Sequence, residues 1–174
     1  MLDACVLYPT VLRQILLGMA GQGHFAPVWS ARILEEWARA AARSGPVAET
    51  VARGEIAALR AAWPDAEREV TVVPAVTLPD PADEHVLALA LSTGATQIVT
   101  ANLRDFPARR LAPLGVRAVH PDPFLLALGD RAPEAVSRVV TGVAKETEGA
   151  LGEPLPLRAL LKRAGLPRLG KRLG

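Results

Sequence analysis

The run from Leu78 to Pro107, LPDPADEHVLALALSTGATQIVTANLRDFP, leaves a chain of this kind few ways to fold. It spells a helix, a turn, a strand and an acidic loop. Asp83 stands just ahead of an apolar series at Val86, Leu87, Ala90 and Leu91, the 3/4 spacing of an amphipathic helix whose first turn favours a carboxylate. Gly94 closes that helix. Residues 97–100 then supply a short apolar strand, and Asn102 and Asp105 follow where its carboxyl end opens into a loop. In open α/β sheets that is the edge at which ligands bind.

The rest of the chain fits around this unit. Residues 1–6 read as the end of a buried strand carrying Asp3, although a strand of usual length needs two or three more residues in front of it, so the chain starts late. Val11, Leu12, Ile15, Leu16 and Met19 share a helical face from Pro9 or Thr10 onward. Ser30 predicts the cap of a helix over 31–43 with Ile33, Leu34, Trp37 and Ala41 in one stripe. Pro46 opens a helix that stops before Pro64, and Trp37 and Trp63 are expected in the core. Residues 70–73 and 115–119 read as further strands. Helices at 124–129, 134–149 and 157–164 follow, the last closed by Gly165. The glycines of GMAGQG match neither a dinucleotide fingerprint nor a P-loop. Asp122 reads as a cap.

At 174 residues with a single cysteine, Cys5, the chain is long enough to bury a core without disulfide staples and suits a reducing compartment. No apolar run approaches the roughly 18 residues of a membrane span, and a cytoplasmic location is expected. The net charge of +2 conceals an asymmetry. Residues 158–174 carry six basic side chains and no acid, which leaves the preceding residues at −4. A basic tail suits a polyanionic partner, and equally a solvated terminus.

The LPD-x-x-D-x-HVLA-x-A run joined to T-x-N-L-x-DFP resembles the PIN-domain ribonucleases, specifically the branch of VapC-like toxins with this motif and a C-terminal helical extension. The resemblance implies an α/β, three-layer PIN-like fold with a central parallel sheet flanked by helices. Residues 1–122 would form the nuclease domain and residues 123–174 a helical extension with a basic tail. It implies that Asp3, Glu36, Asp83 and Asp105 converge as catalytic and metal-binding acids, with Thr100 and Asn102 in support. Between the adjacent acids, helix phase also favours Glu36 over Glu35, because it lies nearer the edge of the apolar stripe. Asp80 competes with Asp83, but it precedes the helix and its direction is not fixed.

Four neighbouring carboxylates repel unless protons or a cation intervene. An all-oxygen set suits Mg2+ or Mn2+, whereas His24, His85, His120 and the lone cysteine have no zinc-ligand spacing. The reaction so implied is hydrolysis of RNA, with an antitoxin protein as partner and a homodimer as the family's usual assembly. Arg104, Arg109, Arg110 and His85 are candidate contacts to the RNA. Asn102 departs from the pattern, since many PIN domains carry an aspartate there. A catalytically impaired PIN-fold module that binds RNA or protein is therefore the alternative. An aspartyl-phosphate mechanism on Asp3 fails, because the second acid it requires is replaced by Cys5.

Overall fold

The computed structural model describes residues 1–174. Its ten α-helices are α1 (Ala4–Leu7), α2 (Thr10–Gly21), α3 (Ala31–Ala42), α4 (Pro46–Ala62), α5 (Glu84–Thr93), α6 (Ala108–Leu111), α7 (Pro121–Arg131), α8 (Pro133–Leu151), α9 (Leu157–Arg163) and α10 (Pro167–Leu173). The two strands, β1 (Gln97–Val99) and β2 (Arg117–Val119), pair in parallel with Ile98 opposite Ala118. The chain divides into two compact units, one of residues 1–8 and 27–119 and one of residues 9–26 and 120–174.

The sheet of the first unit is larger than its two formal strands. Leu2 bridges Val99 in parallel, the Leu2 N–H donates to the Val28 carbonyl at 2.8 Å, and Trp29 bridges Glu67 in parallel. Hydrogen bonds thus link extended segments in the order 67, 29, 2, 98, 118, which is 3-2-1-4-5 in chain sequence. The β1–β2 pair and the Leu2–Val99 and Trp29–Glu67 bridges are parallel, the order reverses beside Leu2, and in open α/β sheets the crevice at such a reversal is where ligands sit.

The predicted opening strand is cut short. Asp3 is extended, with φ −81° and ψ 158°, but its side chain accepts the Ala4 N–H and starts a helix at once. The carboxylate that ends the strand therefore also caps α1. The predicted strand over 70–73 is absent. Both the Thr71 and Val72 N–H groups donate to Ser92 Oγ, so a side chain takes the bonds a neighbouring strand would need. Val73 is left exposed.

Helix α5 is buried on nearly every side, through Val86, Leu87, Ala88, Leu89 and Ala90. A helix apolar all round belongs in the centre of its unit. Gly94 ends it in the left-handed conformation at φ 66°, which a residue without Cβ adopts freely. Ser30 Oγ accepts the Ile33 N–H and caps α3, whose Ile33, Leu34, Trp37, Ala38 and Ala41 face inward. Truncating a buried tryptophan such as Trp37 costs about 3–5 kcal/mol. Pro46 occupies the first turn of α4 as expected. The core tryptophans are Trp29 and Trp37, at 0% and 1% exposure. Trp63, expected in the core, instead terminates α4 with φ −132° and is only half-buried.

In the second unit α2 packs on α8. At Gly18 an added Cβ would lie 2.7 Å from Val139 Cγ1, so the close approach of these helices depends on that glycine. Phe25 and Phe124 meet edge-on, with centroids 5.1 Å apart. Asp122 is a cap, but of a remote helix: its carboxylate oxygens accept the N–H groups of Arg168 and Leu169, each at 2.9 Å. Those groups open α10, a helix that the periodicity did not reveal. The cap of Asp122's own helix is His120, whose Nδ1 accepts the Asp122 N–H at 3.3 Å.

Candidate active site

Asp3 ends the first extended segment and is 6% exposed. Its Oδ2 accepts Thr100 Oγ1 at 2.7 Å and Cys5 Sγ at 3.1 Å, and its Oδ1 accepts the Ala4 N–H. Thr100, at the carboxyl end of β1, is fully buried. Its hydroxyl also accepts the Asn102 N–H at 3.0 Å. Asn102 therefore joins this network through its backbone.

Cys5 is a member that spacing and periodicity did not single out. Its sulfur accepts the Ala101 N–H at 3.2 Å while its thiol donates to Asp3. Burial, reinforced by the Asp3 charge, pushes the thiol up to about 12, so it remains a neutral donor. A signal was present in the residue order Asp3-x-Cys5, because the first turn of a helix folds position i+2 back towards its cap.

Asp83 ends a single 3-10 turn, Pro81–Asp83, and begins α5 without making a side-chain cap bond. Asp80 does the capping of that turn, accepting the Ala82 N–H at 2.8 Å. The Asp83 carboxyl is pushed up to about 6, first by burial and then by the negative charges of Asp3, Asp105, Asp80 and Glu36. Asp83 thus feels the charges of the other three acids singled out from the sequence. No three His, Cys, Asp or Glu side chains converge as a ready-made metal cage.

Asp105 closes a second 3-10 turn, Leu103–Asp105, where Arg104 Nε stands 3.7 Å from its Oδ1. Arg104 and Arg109 are exposed. Arg110 is engaged within the fold, donating to the Thr77 carbonyl. On α3 the adjacent acids part company. Glu35 pairs with Arg39 and Arg53 at the surface, whereas Glu36 Oε1 lies 2.8 Å from His85 Nε2 and 3.4 Å from Arg32 Nε. Burial raises the Glu36 carboxyl, but His85 and then Arg32 outweigh it and hold the group below its usual range. His85 is not a surface group: its side chain is 9% exposed, and its Nδ1 has no hydrogen-bond partner.

Asp3 bonded to Thr100 across two paired extended segments, with Asp83 in electrostatic reach of Asp3, Asp105 and Glu36, narrows the choice of family. The signature described as PIN domain matches residues 1–104. The chain belongs to the PIN-domain family. All four acids except Asp105 lie within the matched part of this PIN domain, as do Thr100 and Asn102. The chain is also 39% identical over 83 residues to a Mycobacterium tuberculosis protein named "Putative ribonuclease VapC50". That similarity covers 48% of the chain and 47% of the relative's length. No solved structure gives a significant match. Among the helices of this PIN-domain chain none is long and apolar enough to cross a membrane.

Proposed function

We propose that the chain is a metal-dependent endoribonuclease that hydrolyses RNA phosphodiester bonds, and that it is the toxin of a toxin–antitoxin pair acting in the cytoplasm. The nuclease part corresponds to residues 1–122, and residues 123–174 are its helical extension. The observation that carries the reading is the Asp83 carboxyl, lifted to about 6 by burial and by Asp3, Asp105, Asp80 and Glu36. A site that resists its own ionisation in this way is one that positive charge stabilises.

The donor set fits a hard divalent cation, Mg2+ or Mn2+, because every candidate ligand is a carboxylate oxygen. Asp3 and Asp83 would hold it directly, Glu36 through water or as positioner of the attacking water, and Asp105 would be the fourth acid. Such an ion, when bound, lowers the pKa of water and offsets charge on the phosphodiester. Thr100 and Cys5 fix the Asp3 carboxylate by donating to it. The His85 and Arg32 contacts orient Glu36 and keep it ionised, ready to accept a proton from water. Arg104 and Arg109, exposed after the site, offer phosphate contacts.

The toxin role, the antitoxin partner and the homodimer follow from the resemblance of the Leu78–Pro107 motif to VapC-like toxins, which the similarity to the relative named "Putative ribonuclease VapC50" supports as far as a ribonuclease. The deciding experiment incubates purified chain with structured RNA and Mg2+ or Mn2+. Cleavage that disappears with chelator and in Asp83→Asn supports the reading; cleavage that survives both rejects it. A small neighbouring reading frame encoding a DNA-binding protein, co-purifying with the chain, would establish the pairing.

A further inference from the structure

Beside Glu36 lies a cleft of about 650 Å³ that the carboxylate site does not use. The start of α3, the end of α4, residues 67–70 and His85 enclose it, and its walls include Arg32, Arg60, Trp63, Glu67 and Arg68. Two of these walls are also the ion-pair partners of Glu36, since Arg32 and His85 both contact its Oε1. The cleft therefore opens beside Glu36, one of the acids of the proposed site.

Three features indicate what fills it. His85 is nine-tenths buried, and while its Nε2 lies against Glu36 its Nδ1 has no hydrogen-bond partner; buried polar atoms left that way are uncommon. Trp63 is the one tryptophan that reaches solvent, because it leaves the helix at the end of α4 while Trp29 and Trp37 are sealed in the core. Arg60 is held by Glu67 at 2.7 Å, whereas Arg68 has no acidic partner. A half-exposed aromatic face, a free guanidinium and an imidazole are the groups with which proteins stack, grip and read single-stranded RNA. The charged walls are unsuited to an apolar helix from a partner protein.

We infer that this cleft is a nucleotide subsite: a base flanking the cleaved bond stacks on Trp63, its edge meets His85, and its phosphate is held by Arg68. The inference rests on the ribonuclease reading above, and it names where the substrate strand runs on leaving the carboxylates.

Trp63 supplies its own probe. Intrinsic fluorescence of the full chain is titrated, in chelator, with a short single-stranded RNA of mixed sequence, with inorganic polyphosphate and with an acidic peptide. RNA is expected to quench the emission, polyphosphate and peptide are not, and Trp63→Phe removes the quench. In cleavage assays Trp63→Ala raises KM roughly ten-fold with kcat little changed, while Trp63→Phe, which keeps a stacking ring, stays near wild type. Equal quenching by polyphosphate, no quenching by RNA, or an unchanged KM in a folded Trp63→Ala overturns the subsite. Quenching by the peptide alone makes the cleft a protein-docking site and likewise removes the proposal. If the wild type cleaves in an Asp83-dependent manner without RNA-specific quenching, the subsite falls alone. If no RNA is cleaved with either metal, the nuclease reading falls and takes the subsite with it.

Discussion

Thr100 Oγ1 donates to Asp3 Oδ2 at 2.7 Å, joining residues 97 positions apart inside a buried network. The hydroxyl is one of three donors to that carboxylate, with the Ala4 N–H and the Cys5 thiol. Thr100→Val keeps the shape of the side chain and deletes the bond. Chemical denaturation is expected to show a loss of about 1–2 kcal/mol, and RNA cleavage a fall of roughly ten-fold or more, the usual effect of releasing a metal-site carboxylate from its support. Thr100→Ser should recover most of both.

Asp83→Asn should move activity and stability in opposite directions. Removing the charge relieves the repulsion from Asp3, Asp105, Asp80 and Glu36, so the metal-free protein should melt at a higher temperature above pH 7. Cleavage should drop roughly a hundred-fold or more, as for the loss of a group that stabilises transition-state charge. A melting temperature equal to or below wild type would show that the crowding is not felt.

The same carboxyl sets a pH dependence. Its folded value of about 6 exceeds the ordinary 3.8, so between these values the folded state keeps a proton that the unfolded chain has released. Stability from this group is full below the lower value and is lost as pH rises through the upper one. Melting temperatures of the metal-free protein should therefore fall between about pH 4 and pH 6 relative to Asp83→Asn, as read by differential scanning fluorimetry. Millimolar Mg2+ or Mn2+ should flatten the difference.

Glu35 and Glu36 offer a test by contrast. Glu35 is tied to exposed Arg39 and Arg53, and pairs of that kind contribute little. Glu36 lies against nearly buried His85. Cleavage kinetics should find Glu35→Gln close to wild type and Glu36→Gln reduced roughly ten-fold or more.

Asp122→Ala should uncap α10 without touching the chemistry. The carboxylate is 3% exposed and accepts two backbone N–H groups. Its loss should cost about 1.5–3 kcal/mol in denaturant unfolding, with cleavage per folded molecule unchanged. A shift below the scatter of surface substitutions would mean that the cap is replaced by solvent.

Punctuation in the sequence announces much of this fold. Ser30 caps α3, Pro46 starts α4 and Gly94 ends α5 because each acts through local geometry that tertiary contacts rarely override. Longer-range choices escape such reading. Residues 70–73 have the β-branched composition of a strand, but Ser92 supplies their hydrogen bonds from a distant helix. Trp29 sits in an unpatterned stretch and is buried where its own backbone pairs with Ala66 and Arg68, whereas Trp63 follows an apolar series and turns out of it. The parallel sheet and helix-rich remainder of a PIN-domain chain agree with the class expected from the motif. The burial of His85 against Glu36 was not legible, since a first-turn histidine gives no sign of which helix it will face.

Because the bond from Thr100 to Asp3 joins residues 97 positions apart, no early fragment of the polypeptide contains both of its ends. A ribosome releases the first acid long before the hydroxyl that orients it. A pocket that needs both groups therefore closes only once residue 100 has left the ribosome, and the Asp3 carboxylate lacks that brace until then.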